Sequence, residues 1–184
     1  HLYSRQILLD GWDIEAQERL KLANVLIIGA GGIGCTSAEL LARAGVGKIT
    51  IVDADTIEVS NLQRQIAFCP NDVGQYKAEV LAKHLRAINP HIQVIYQNVR
   101  FDENNADELV QHQDVVLDGC DNFSTRYLVN AVCKKYQVPL ISASAIAFEG
   151  QLFMVESDSA CYEGVLPKEQ QSNEGLRCAE SGVL

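Results

Sequence analysis

Apolar and polar positions along this chain follow two different periods, and the period switches repeatedly. Residues 25–28 form an unbroken apolar run, as in a strand buried on both faces of a parallel sheet. Residues 34–44 carry small and apolar side chains at helical spacing, with Gly45 and Gly47 as the stop. A second strand is predicted over 48–52, a helix over 77–88 closed by Asn89-Pro90, and an alternating strand over 93–99. The spacing predicts a short helix over 103–111, a buried strand over 115–119 and a helix over 124–136. After Pro139, residues 140–144 and 151–155 read as strands. Upstream, residues 13–22 predict a weakly amphipathic helix with Ala16 and Leu20 on its inward face. Residues 54–72 have no period and predict a long polar connection.

Strands separated by helices predict an α/β fold. The expected form is doubly wound, with a mainly parallel sheet, helices on both faces and a Rossmann-like nucleotide site. The expected organisation is an N-terminal helical arm (1–22), the main domain (23–156) and a C-terminal loop segment (157–184).

Composition narrows the function. The 184 residues are 47% hydrophobic and 21% charged, enough to bury a core. A net charge of −9 with no basic run speaks against nucleic acid as a partner, and no apolar run is long enough for a membrane span. The six cysteines are scattered, some inside apolar runs, which suits reduced thiols in the cytoplasm better than a disulfide framework. Cys35, Cys120 and Cys133 are expected as small core residues, and His84, His91 and His112 as surface or helix-end residues. The start at His1 implies a trimmed N-terminus.

Gly29-Ala30-Gly31-Gly32-Ile33-Gly34 follows the first strand and opens the first long helix. Its glycines allow a tight turn and a close backbone approach to phosphate, and the helix N-terminus adds partial positive charge. Asp53 ends the second strand, where an acid can accept hydrogen bonds from ribose hydroxyls. Two further cations follow, Arg64 and Lys77. A hydride-transfer site needs no such pair, whereas a triphosphate site does. Asp121, just beyond the buried strand 115–119, can hold Mg²⁺. These features point to ATP; the alternatives are a nicotinamide- or flavin-dependent oxidoreductase and a binding module without turnover.

Tyr3-Ser4-Arg5-Gln6, the glycine loop, Ser60-Asn61-Leu62-Gln63-Arg64-Gln65, Val73-Gly74 with Lys77, and Asp118-Gly119-Cys120-Asp121-Asn122 with Arg126 occur in that order. The chain thereby resembles the HesA/MoeB/ThiF family, prokaryotic relatives of ubiquitin-activating E1 enzymes. The resemblance implies adenylation of the C-terminal Gly-Gly carboxylate of a ubiquitin-like sulfur carrier, with release of pyrophosphate, in molybdopterin or thiamine biosynthesis. It implies that Gly29, Gly31, Gly32, Gly34, Asp53, Asp55, Ser60, Asn61, Gln65, Asn122 and Arg126 bind the nucleotide. It also implies that Arg64 and Lys77 act on the phosphates, that Asp121 carries Mg²⁺, and that Arg5 reaches the ATP of the other subunit of a homodimer. Family members commonly hold a structural zinc between two C-x-x-C pairs. Here Cys161-Tyr162-Glu163-Gly164 lacks the second cysteine and the chain stops at Leu184, so no zinc is expected. The stop also implies a fragment or a trimmed tail. Cys178 matches the place of a reactive thiol in some relatives.

Overall fold

The computed structural model describes residues 2–156. The expectations for Cys161, Cys178, the zinc site and the segment 157–184 lie outside them.

Six strands form one sheet: β1 (Asn24–Ile28), β2 (Lys48–Val52), β3 (Gln93–Gln97), β4 (Val115–Asp118), β5 (Leu140–Ile146) and β6 (Glu149–Val155). Their order is β3-β2-β1-β4-β5-β6; all neighbours run parallel except the antiparallel pair β5–β6. The helices are α1 (Ser4–Ile7), α2 (Ile14–Leu22), α3 (Gly32–Ala44), α4 (Lys77–Ile88), α5 (Ala106–Val110) and α6 (Phe123–Tyr136).

Both faces of the sheet are covered, which explains why the central strands read as solid apolar runs. On one face Ile27, Ile49 and Ile51 pack with Cys35 and Ala38 of α3 and Leu81 and Leu85 of α4. On the other, Leu26, Ile28 and Val116 pack with Val110 of α5 and Val129 of α6. The two cores make the sheet doubly wound.

Local chemistry sets the helix ends. Asp13 caps α2 by accepting the Ala16 N–H at 2.8 Å, and Asn122 caps α6 by accepting the Thr125 N–H at 2.8 Å. Gly45 closes α3 at φ +94°, a left-handed cap. As the spacing predicts, Ala16 is buried and Leu20 packs against the first core.

The structure departs from the sequence pattern in several places, among them these. α3 starts at Gly32, two residues early, because the loop glycines themselves enter the helix. β5 and β6 extend toward each other and leave only two residues between them. The stretch 54–72 is no plain polar connection. Two 3₁₀ turns, Val59–Asn61 and Pro70–Asp72, an antiparallel bridge from Thr56 to Tyr76, and buried Ile57 and Phe68 pin it to the first core.

Candidate active site

Strand order reverses at β1, which has β2 on one side and β4 on the other. In open α/β sheets a ligand binds outside the carboxyl ends of such a pair. Here those ends meet closely: the Gly29 N–H donates to Val52 O at 2.9 Å and the Gly119 N–H to Ile28 O at 2.9 Å. Gly29 sits at φ +93°, and a Cβ on it would stand 3.1 Å from the Gly119 backbone. The glycine loop therefore turns directly against the β4 end and leaves the α3 N-terminus facing the crevice.

Asp53 fastens this loop. One carboxylate oxygen accepts the Ala30 N–H at 2.7 Å and the other the Asp55 N–H at 2.7 Å. Burial pushes its pKa up, and those two N–H groups pull it back. Each oxygen keeps a lone pair with which to accept a further hydrogen bond.

Arg64 comes from the pinned segment and Lys77 from the helix that follows it. Lys77 opens α4, its stem buried and its Nζ 3.3 Å from the exposed carboxylate of Asp55. Arg64 lies over the α3 N-terminus, and its Cγ would touch a Cβ on Gly32 at 3.5 Å. Its Nη1 donates to Ser60 O at 3.0 Å, which braces the guanidinium beside the glycine loop. Asn61 is buried, with its side-chain oxygen accepting the Glu58 N–H at 3.0 Å, and Gln65 is buried with its side-chain oxygen unpartnered. Ser60 is exposed and bonded to Glu58 at 3.2 Å. These three shape the turn that presents Arg64.

Across the crevice, Asp121 is exposed just beyond β4. Asn122 spends its side-chain oxygen on the α6 cap. Arg126 is buried and donates to the backbone carbonyls of Cys120 and Ala143, the latter at 3.0 Å. Cys35 and Cys133 are core residues as expected, but Cys120 is half-buried in this loop rather than in a core, because β4 ends before it. Burial and the nearby Asp118 carboxylate push the Cys120 thiol up, which disfavours its thiolate form.

Arg5 stands apart. Its helix α1 lies at the far end of α3, where Gln6 donates to Ala44 O at 2.8 Å and Tyr3 abuts Gly45. The 13 residues of α3 span about 20 Å, beyond the reach of one arginine side chain.

Two residues of this region carry no role in the sequence reading. Asp118 and Ser142, both buried, bond across the β4–β5 register at 2.8 Å. The available signal was an acid closing an otherwise apolar strand.

Among the described residues no group of three or more His, Cys, Asp or Glu side chains could hold a metal ion. Among the same residues, no helix is long and apolar enough to cross a membrane.

The family model described as "ThiF family" matches residues 3–184. The SAMP-activating enzyme E1 of Haloferax volcanii is 42% identical over 182 residues, covering 99% of this chain and 67% of that protein. The molybdopterin-synthase adenylyltransferase of Salmonella typhimurium is 44% identical over 184 residues, covering 99% of this chain and 73% of that one. The crystal structure of Escherichia coli MccB with ATP superposes with a TM-score of 0.81 at 31% identity, over 95% of this chain and 53% of that one. The chain thus spans about half the length of that solved structure.

Proposed function

Since the chain belongs to the ThiF family, we propose that it adenylates the C-terminal carboxylate of a ubiquitin-like carrier protein ending in Gly-Gly, using ATP. The observation that carries this reading is the set of groups around one crevice. A glycine loop and helix N-terminus, an acid locked onto that loop, and the cations Arg64 and Lys77 stand on one side, with exposed Asp121 on the other.

In the reaction, a carrier carboxylate oxygen bonds to the α-phosphorus of ATP. The bond from that phosphorus to the β-bridging oxygen breaks, and pyrophosphate leaves with the electron pair. The attacking carboxylate is already ionised, so no general base is required. What the protein must offset is anion meeting anion and charge building on the pyrophosphate. The loop N–H groups and α3 would cradle phosphate, Asp53 would orient the ribose, and Arg64 and Lys77 would neutralise the leaving group. Asp121 would hold Mg²⁺, which when bound supplies further neutralisation of phosphate charge. No covalent enzyme intermediate is needed for adenylation.

The distance between Arg5 and its own glycine loop supports a site shared across a homodimer, with Arg5 serving the other subunit's ATP. Molybdopterin biosynthesis is the pathway we assign, supported by the name of the Salmonella relative; a thiamine-pathway carrier is the second candidate substrate. Free thiols at Cys35, Cys69, Cys120 and Cys133 suit the reducing cytoplasm, where we place the protein.

The test is ATP–pyrophosphate exchange with a panel of carriers ending in Gly-Gly. Exchange that needs both the carrier and its terminal glycine is expected. Thermal stabilisation by NAD⁺ but not by ATP with Mg²⁺, together with no exchange, would overturn the reading.

A further inference from the structure

Two oppositely charged side chains, each almost wholly buried, converge on one residue of the site loop. Asp118, 2% exposed, accepts the Cys120 N–H at 3.0 Å and the Ser142 hydroxyl at 2.8 Å. Arg126, 5% exposed, donates from one Nη2 to the Cys120 carbonyl at 2.5 Å and to the Ala143 carbonyl at 3.0 Å. Cys120 is thus held by its N–H from one side and by its C=O from the other. Both grips are anchored in adjacent residues of β5, Ser142 and Ala143.

Burying a carboxylate and a guanidinium costs free energy unless hydrogen bonds replace their water. An apolar pair would pack the same junction without that cost. The next residue along the chain is Asp121, whose exposed carboxylate projects from a turn that has no regular secondary structure of its own. The chain needs something to fix that turn; the Gly119 N–H bond to Ile28 O holds its start, and the two grips hold its next residue, Cys120, to β5.

We propose that Asp118 and Arg126 act as a pair of positioning residues: by clamping the two polar ends of the Cys120 backbone to β5, they set where Asp121 presents its carboxylate to the metal and phosphates. Neither residue touches ligand in this scheme. Arg126 then serves the nucleotide through the loop rather than by direct contact. The proposal rests on the adenylation reading for what Asp121 does, but the clamp itself is a structural claim with its own readout.

The experiment uses the full chain with Arg126→Lys, Arg126→Met and Ser142→Ala, the last loosening Asp118 from β5 with a small change in volume. The first readout is amide hydrogen exchange at Cys120, whose N–H is bonded to Asp118. Arg126→Lys and Ser142→Ala should each speed exchange at that amide at least about tenfold, though neither substitution touches the N–H itself. The second readout is carrier-dependent pyrophosphate exchange. Turnover should fall by about 10- to 100-fold with the ATP KM changed less than about threefold, and half-maximal rate should need more Mg²⁺. Unchanged amide exchange in Arg126→Lys and Ser142→Ala overturns the clamp. So does a proportional loss of thermal stability, ATP affinity and turnover, which marks a purely structural role. If the parent chain shows no exchange with any carrier, the adenylation reading fails, and amide exchange still decides whether the clamp exists.

Discussion

A Cβ placed on Gly34 would stand 1.9 Å from the carbonyl oxygen of Gly29. The last glycine of the loop is therefore a packing requirement: the start of α3 is pressed onto the turn that leaves β1. Gly34→Ala should move the loop away from β4 and cost about 1–3 kcal/mol, as overpacking of a close-packed contact does. The expected result is a lowered unfolding midpoint and loss of the shift that ATP produces. A variant with parent stability and a parent ATP shift would mean that the loop yields at no cost.

Asp121 is the opposite case, an exposed side chain to which the proposed function gives a chemical task. Asp121→Ala should leave stability within about 0.5 kcal/mol of the parent, as surface substitutions do. Adenylate formation should nevertheless be lost. Chemical denaturation and pyrophosphate exchange on the same preparation check both halves, and exchange at the parent rate would remove Asp121 from the phosphate site.

Arg64 and Lys77 should show that charge alone is insufficient. Arginine offers a planar fork that can bind two phosphate oxygens at once, whereas lysine is a point charge. Arg64→Lys should therefore be damaging although it keeps the charge. Lys77→Met keeps most of the buried stem and deletes the cation, so it isolates charge from packing. Both should lower turnover by about 10²-fold, more than they weaken ATP binding, if the charges act mainly on the departing pyrophosphate. Equal, modest weakening of affinity with normal turnover would restrict them to ground-state binding.

These residues also show which parts of the molecule the sequence reveals. The βαβ unit around Gly29 to Asp53 is legible because its signals are local: an apolar run, glycines, helical spacing and an acid at a strand end. The course of residues 54–76 is not, because its order comes from distant partners. Ile57 and Phe68 gain burial as members of the first core, built by strands and helices distant in sequence, and the Thr56–Tyr76 bridge joins residues with no local period between them. The place of Arg126 is hidden for the same reason. A motif arginine beside a nucleotide loop suggests a ligand contact, whereas its guanidinium is turned toward the Cys120 and Ala143 carbonyls. Only the packing of α6 over β5 decides between the two.

A pH prediction follows from Glu39 on α3. A hydrogen bond with His84 and another from Arg43 hold its carboxyl below the ordinary value of 4.5. A carboxylate with a lowered native pKa adds stability that is fully present above its unfolded pKa and is lost as pH falls through the native one. The Glu39 contribution should thus be intact at neutral pH, begin to fade as pH falls below 4.5 and be gone once pH is below the lowered native pKa. Glu39→Gln should lower stability at pH 7 by about 0.5–1 kcal/mol, the scale of a partly exposed pair, and the gap should close in acid. Urea denaturation of both proteins at a series of pH values is the measurement. A gap independent of pH would assign the loss to packing rather than to charge.

Arg5 yields the last prediction, and it is about assembly. Its helix packs at Ala44 and Gly45, the end of α3 remote from the glycine loop, so it has no path to its own site. Either Arg5 is a surface charge, or it completes the site of another copy. Mixing decides between these. An Arg5→Ala homodimer lacks the arginine at both sites, and an Asp121→Ala homodimer lacks the carboxylate at both. A heterodimer of the two contains one site with both groups intact and one with neither. Random exchange makes about half of the dimers heterodimers, each with one of its two sites working. The mixture should therefore recover about a quarter of parent activity, rising toward half if heterodimers are favoured, while each variant alone stays inactive. Subunit exchange is followed separately with differently tagged chains. If exchange occurs and no activity returns, Arg5 does not act across the interface; if Arg5→Ala alone is fully active, Arg5 has no part in the site.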